Sequence, residues 1–269
     1  MELSNINRKR IITLLKEGNR LDGRKPFENR EIFIETDISN KAEGSARVRL
    51  GKTEVIVGVK LQTQEPYPDH KDEGTLIVGM EINSSAGDRY EPGPPQIDAI
   101  EIARVVDRGI RESKYIDLKK LCIKDGEIVW SVMIDIYGIN DDGNLLDASF
   151  IGALSALKVT KIPVYIEEEG IKYDKTSEKY LPLTKNESLM MTFYKVGDNL
   201  LLDPNREEED ISNARLTLAI SKSGKDKIIH SMQKGEIESI SIKDLNKIIE
   251  EAENVYDKLS LELNKLITR

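Results

Sequence analysis

The chain has 269 residues, a formal charge of −8, charged side chains at 33% and a single cysteine. That length is ample for a hydrophobic core, the net acidity excludes a protein that grips nucleic acid through its general field, and lone Cys122 excludes an internal disulfide framework. No run approaches the roughly eighteen apolar residues of a membrane span, and the opening MELSNINRKR has no signal-peptide core, so a cytoplasmic protein of a reducing compartment with no membrane contact is expected.

Residues Ile6 to Glu17 place Ile11, Leu14 and Leu15 on one face, with Gly18 where a helix would be capped, and predict a short amphipathic helix. The turn Arg20-Leu-Asp-Gly-Arg24 follows. Strands are predicted over Glu31 to Glu35, Ser45 to Leu50, Glu54 to Thr63 and Thr75 to Ile82, the middle two joined by a Gly51-Lys52 hairpin, and together they read as an antiparallel sheet. Asn83 to Gln96 carries three prolines and two glycines and reads as a long loop, a place where function concentrates.

That loop delivers the chain to PPQIDAIEIARVVDRGIRESKYIDL, from Pro94 to Leu118. At about 100° per residue, Arg104, Arg108 and Arg111 share one side of the helix, while Ala99, Ile102, Val106 and Ile110 share the other. Like charges at i and i+4 repel by a few tenths of a kcal/mol. Either Glu101 and Asp107 compensate by pairing with Arg104 and Arg111, or the face meets an anion. Ile97 and Ile100 lie toward the arginine side, where a neighbouring chain or the proline loop could cover them.

Cys122 falls in an apolar strand-like run and reads as a small buried hydrophobe. Ile128 to Ile139 predicts a strand, Asn140 to Asn144 a turn, Leu145 to Leu157 a helix and Ile162 to Glu168 a strand. The polar stretch Glu169 to Asn186 suits a surface excursion between two halves. Beyond it, Leu189 to Val196 and Leu200 to Asp203 flank a Gly197-Asp198 hairpin, Arg215 to Ile220 and Lys227 to Gln233 add strands, and Ser241 with Asp244 opens a long final helix that should cover the second sheet. Hairpins mixed with helices in this way indicate an α+β architecture of two sheet-plus-helix halves. The divisions expected are 1–27 for the N-terminal helix and turn, 28–183 for the first half and 184–269 for the second.

Scattered single glycines exclude a Gly-rich phosphate loop, and His70 and His230 lack companions at ligand spacing. Asp135, Asp141, Asp142 and Asp147 gather around one strand-to-helix turn, where magnesium could be held, although turn and helix-start chemistry accounts for most of them. The acidic run Glu207 to Asp210 reads as a solvated face.

The ordered set Arg20-Leu-Asp-Gly-Arg24, Gly44-Ser45 through Val57, Ile100-Glu-Ile-Ala-Arg104 with Arg108, Asp142-Gly143 with Ala148-Ser149, and Leu202-Asp203 before the acidic run resembles the RNase PH family of phosphorolytic 3′-to-5′ exoribonucleases. The likeness spans about Arg20 to Lys258 and implies an RNase PH-like fold of the ribosomal protein S5 domain 2-like kind. Active members carry Gly-Thr-Arg after the Asp-Gly turn, where a hydroxyl and a backbone nest hold the attacking phosphate; here the segment is Asn144-Leu145-Leu146. Counting on without gaps from Leu202-Asp203, the family's catalytic aspartate falls on Arg215. Two losses of this kind, with the Glu91-Pro-Gly-Pro-Pro95 loop, resemble the non-catalytic ring subunit of archaeal exosomes.

The resemblance implies a subunit that alternates with a catalytic paralogue in a hetero-hexameric ring, a trimer of heterodimers, beneath RNA-binding cap subunits. Its task would be RNA degradation and processing by binding and support. Arg104 and Arg108, with Arg111 as a third, would contact RNA phosphates near the 3′ end; phosphate, and Mg²⁺ as an option, would belong to the partner's site and no cofactor to this chain. Two alternatives stand beside it: a self-sufficient phosphorolytic exoribonuclease using Asp135, Asp142 or Asp210, and a purely structural ring protein whose arginine face is paired internally.

Overall fold

A computed structural model describes residues 5–166, 170–172 and 179–267. The end of the strand expected over Ile162 to Glu168 and much of the polar stretch after it lie outside the described residues. In chain order the elements are α1 (Asn5–Lys16), β1 (Ile32–Thr36), β2 (Gly44–Leu50), β3 (Thr53–Gln64), β4 (Thr75–Ile82), α2 (Ile97–Glu112), β5 (Cys122–Lys124), β6 (Ile128–Asn140), α3 (Leu145–Val159), β7 (Val164–Ile166), β8 (Gly170–Lys172), β9 (Ser188–Val196), β10 (Asn199–Leu202), α4 (Arg206–Asp210), β11 (Ala214–Ser223), β12 (Asp226–Gly235) and α5 (Ile242–Leu266).

The first sheet runs β1-β2-β3-β6-β4, with β5 on β6, and the second runs β10-β9-β11-β12. Strict alternation along β3, with Val55, Val57, Val59 and Leu61 buried and their neighbours half-exposed, fixes which face of the first sheet meets the core. The sequence reading of an all-antiparallel first sheet is corrected by β4, which pairs with β6 in parallel, Thr75 opposite Ser131 through Ile82 opposite Gly138. The reason is the connection: parallel neighbours need a crossover, and α2 supplies it. Cys122 is also corrected. It is half-buried on the short edge strand β5, not a core residue.

Helix α3 is apolar nearly all round and buried along its length except at Lys158, because it lies between the two sheets. Helix α2 crosses it closely at Gly109, where a Cβ would sit 2.6 Å from the ring of Phe150. One continuous core takes in both sheets, α2, α3 and the Ile248, Ala252, Tyr256, Leu259 stripe of α5, while α1 closes a smaller cluster over Tyr194, Val196, Leu201 and Ile211. As expected, Ser241 caps α5 by accepting the Asp244 amide at 3.1 Å, and the helix packs on β9.

Candidate nucleic-acid interface and the adjoining cleft

Two prolines precede α2, Asp98 lies in its first turn where the helix dipole favours an anion, and Ala99, Ile102, Ala103, Val105, Val106, Gly109 and Ile110 are buried beneath it. The opposite face is a continuous outward strip. Ile97 is 80% exposed and Ile100 49%, and Arg104, Arg108 and Arg111 are exposed beyond them.

The three arginines are not equivalent. Arg111 donates from Nε and Nη2 to Asp107 at 3.0 and 2.7 Å, and Nη2 also reaches the Leu76 carbonyl at 2.8 Å, so it ties α2 to β4. The Arg104 and Arg108 guanidiniums have no hydrogen-bond or ion-pair partner among the described residues. Internal compensation therefore forms on one side only. Asp107 pairs with Arg111, but the expected Glu101–Arg104 pair is absent, because Glu101 turns toward the second sheet: its Oε1 accepts from Arg215 Nη2 and, at 2.8 Å, from Gln233 Nε2.

That turn defines a cleft of about 100 Å³ beside α2, lined by Arg89, Tyr90, Asp98, Glu101, Ile102, Asp141, Leu145, Leu146, Tyr194, Glu209, Arg215 and Glu236. It brings Leu145, Leu146 and Arg215 together. Their chemistry does not suit a free phosphate. The two leucines are buried and offer no hydroxyl, the Arg215 guanidinium is held by Glu101, and five carboxylates face two guanidiniums around the space.

Asn144, the fourth position singled out, lies behind the cleft. It is fully buried and takes the left-handed conformation at φ 54°, which asparagine tolerates better than most side chains. Its Nδ2 bridges Asp147 Oδ2 and Asp203 Oδ1, each at 2.9 Å. Burial pushes the Asp147 carboxyl up to about 7, although Asn144, the Thr192 amide and the Thr192 hydroxyl all donate to it. Burial would also raise Asp203, but hydrogen bonds and charge from Arg30 outweigh it and hold that carboxyl below its ordinary range.

The other carboxylates are not gathered into one partnership, although Asp141 and Asp210 share Arg206. Asp141 accepts from Tyr90 Oη at 2.7 Å, Arg89 Nη2 at 2.9 Å and Arg206 Nη1 at 3.1 Å. Asp142 lies 3.7 Å from Arg30, Asp210 pairs with Arg206, and Asp135 stands on the outer face of the first sheet between Gly58 and Gly79, raised by its own burial and by Glu81. The structure does not assemble Asp135, Asp142 and Asp210 into one site. Among the described residues no three His, Cys, Asp or Glu side chains are placed to share a metal ion.

Two profiles match this chain, the first domain of the 3′ exoribonuclease family over residues 28–163 and the second domain over 189–255. The chain belongs to the RNase PH family. It is 44% identical over 247 residues to the exosome complex component Rrp42 of Methanocella arvoryzae, covering 92% of this chain and 91% of that one. Among solved structures it superimposes on a chain of an Archaeoglobus fulgidus exosome with RNA bound to the active site with a TM-score of 0.87, at 41% identity and over 96% and 98% of the two chains. An archaeal exosome core gives 0.83 at 38% identity, over 97% of each.

The RNase PH landmarks acquire a physical account from the contacts they make. Arg20, from the Arg20-Leu-Asp-Gly-Arg24 turn, is buried against Glu208, with Nε to Oε1 at 2.9 Å, and donates to the Leu202 and Asp203 carbonyls at 2.8 Å each. Arg30 donates to both Asp203 carboxylate oxygens, at 3.0 and 2.7 Å, and Arg24 adds a longer bond at 3.2 Å. Asp203 itself sits at φ 49°. These motifs therefore join the N-terminal segment to the second sheet.

The reading of Glu207 to Asp210 as a solvated face holds for exposed Glu207 and Asp210 and is corrected at Glu208 and half-buried Glu209. Glu208 is fully buried, since α4 begins with a capping box in which Asn205 Oδ1 accepts the Glu208 amide and Glu208 Oε2 accepts the Asn205 amide, both at 3.0 Å. The spacing Asn205…Glu208 was the available signal.

Proposed function

We propose that this chain is the non-catalytic ring subunit of an archaeal exosome, contributing RNA binding and structural support to phosphate-dependent 3′-to-5′ degradation by a paralogous subunit. The carrying observation is Arg215. At the position that the resemblance matches to the family's catalytic aspartate stands a buried cation engaged by Glu101, in a cleft that also holds Arg89, two tyrosines, apolar side chains and five carboxylates. A carboxylate there could accept a proton or help hold a metal; a guanidinium can do neither.

Arg104 and Arg108 give the subunit its part in the reaction. They are exposed and unpaired among the described residues, one turn apart, and each guanidinium presents a planar fork matched to phosphate oxygens. Arg111 ranks third, since Asp107 and the Leu76 carbonyl already engage it. Local arginines reconcile RNA contact with a chain of net charge −8. The apolar strip of Ile97 and Ile100 beside them suits the approach of the catalytic paralogue, so that RNA meets both chains where they join, within a trimer of heterodimers carrying RNA-binding caps. Phosphate, and any Mg²⁺, then belong to the paralogue's site.

The test is reconstitution. The purified chain, given RNA, phosphate and Mg²⁺, should release no nucleoside diphosphates, and mixing it with its catalytic paralogue should give a six-membered ring that releases them processively. Release by the chain alone would overturn the proposal and favour the self-sufficient enzyme.

A further inference from the structure

The cation that replaces the catalytic acid does more than close the cleft. We propose that Arg215 is a positioning residue for RNA binding: clamped with Gln233 on Glu101, it fixes the rotation of α2 about its own axis and so the direction in which Arg104 and Arg108 project. This rests on the RNA-contact reading above and assigns a task to the position that lost its acid.

The buried face of α2 is aliphatic and small, and burial of that kind is non-directional. Hydrogen bonds are directional. A single oxygen, Glu101 Oε1, receives Arg215 Nη2 from β11 and Gln233 Nε2 from β12, so two adjacent strands of the second sheet hold one point on the helix, three residues before Arg104. Taking a side-chain radius of about 5–6 Å, a rotation of roughly 20° would displace the arginine ends by about 2 Å, well outside the half-ångström or so within which a binding constellation works.

Two further observations show that the clamp is built into the strands. Arg215 pairs across the ladder with Gly235, and a Cβ at 235 would lie 2.5 Å from Arg215 Nη2 and 2.7 Å from its Nε and Cζ. Only the missing side chain lets the guanidinium pass over β12 to α2. Stability alone does not explain the arrangement either, because a buried ion pair is commonly no better than well-packed apolar residues, and Arg215 Nε is buried without a partner. The clamp works with two other ties: Arg111 holds the far end of α2 to the Leu76 carbonyl, and Asp141 joins Arg206 of α4 to Arg89 and Tyr90 of the loop feeding α2.

Three variants test the proposal in the assembled ring, each checked for mass and melting temperature: Arg215→Met, Gly235→Ala, which displaces Arg215 without removing it, and Arg215→Lys, which restores a cation opposite Glu101. The probe is a fluorescent single-stranded oligoribonucleotide. Arg215→Met and Gly235→Ala should weaken RNA affinity by roughly three- to tenfold, with Arg215→Lys recovering part of the loss. The slope of log affinity against log salt should stay at the parent value, because the phosphate-contacting cations remain. A parental affinity in an intact Arg215→Met ring overturns the proposal, and if that ring fails to form, a parental affinity for Gly235→Ala does. Removing Arg104 and Arg108 themselves lowers the slope. If that also leaves affinity unchanged, the RNA-contact reading has failed; if it weakens binding while the Arg215 series does not, only the positioning role has.

Discussion

Replacing Arg104 and Arg108 together with glutamine removes two cations from the outward face of α2 and leaves its buried face untouched. Both side chains are exposed and without partners among the described residues, and glutamine nearly equals arginine in helix propensity, so folding and ring mass should be unchanged. Each arginine that neutralises a phosphate of single-stranded RNA contributes about 0.7 to the salt slope, and two contribute about 1.4. Over a roughly fourfold rise in salt, from about 50 to 200 mM, the parent should therefore lose about sevenfold more affinity than the variant. Fluorescence anisotropy of the assembled ring with an oligoribonucleotide, titrated at four or five salt concentrations, measures that difference. A variant slope equal to the parent's, with equal affinity, would refute the assignment and leave a structural protein with an unused basic strip.

Asp147 supplies a prediction in pH. Its folded-state value of about 7 lies above the ordinary carboxyl value near 4, so between those limits the native state binds more protons than the unfolded one, and this group's contribution to stability is lost as pH rises from about 4 through 7. Asp147→Asn should flatten the slope of denaturant stability over that window; an unchanged slope would show that burial does not raise the carboxyl. Arg20→Met strands Glu208, fully buried, without its partner and should cost about 3–5 kcal/mol in urea unfolding, whereas losing the exposed Lys222–Asp257 pair through Lys222→Ala should cost less than about 1 kcal/mol. Equal costs for the two would mean that the Arg20 network is not what joins the N-terminal segment to the second sheet.

What could be read from the chain and what could not divides along sequence distance. The amphipathic face of α2, the hairpins, and the capped start of α5 depend on residues a few places apart, and their periods and caps are visible directly. The parallel pairing of β4 with β6 is set by a crossover and leaves no mark in the alternation of either strand. Glu101 illustrates the same limit at the candidate site. Helical spacing offers Arg104 as its partner, but the helix's packing angle turns it to Arg215, 114 positions away. Glu208 had a local signal that was overridden by its neighbours: three acids beside it suggested solvent, while the Asn205 cap and Arg20 carry it inside. The proposal that Leu145, Leu146 and Arg215 stand where active relatives carry their chemistry comes only through resemblance, since neither leucine nor arginine at a given place declares what it has replaced.

The most direct measurement is phosphorolysis by a ring assembled from this chain and a paralogue whose own catalytic carboxylate has been removed. If the Arg215 cleft is chemically inert, such a ring should bind RNA with parental affinity and release no nucleoside diphosphate above the background without enzyme. Phosphate-dependent release from that ring, abolished by a change at Asp135, Asp142 or Asp210, would place catalysis in this chain and contradict the account.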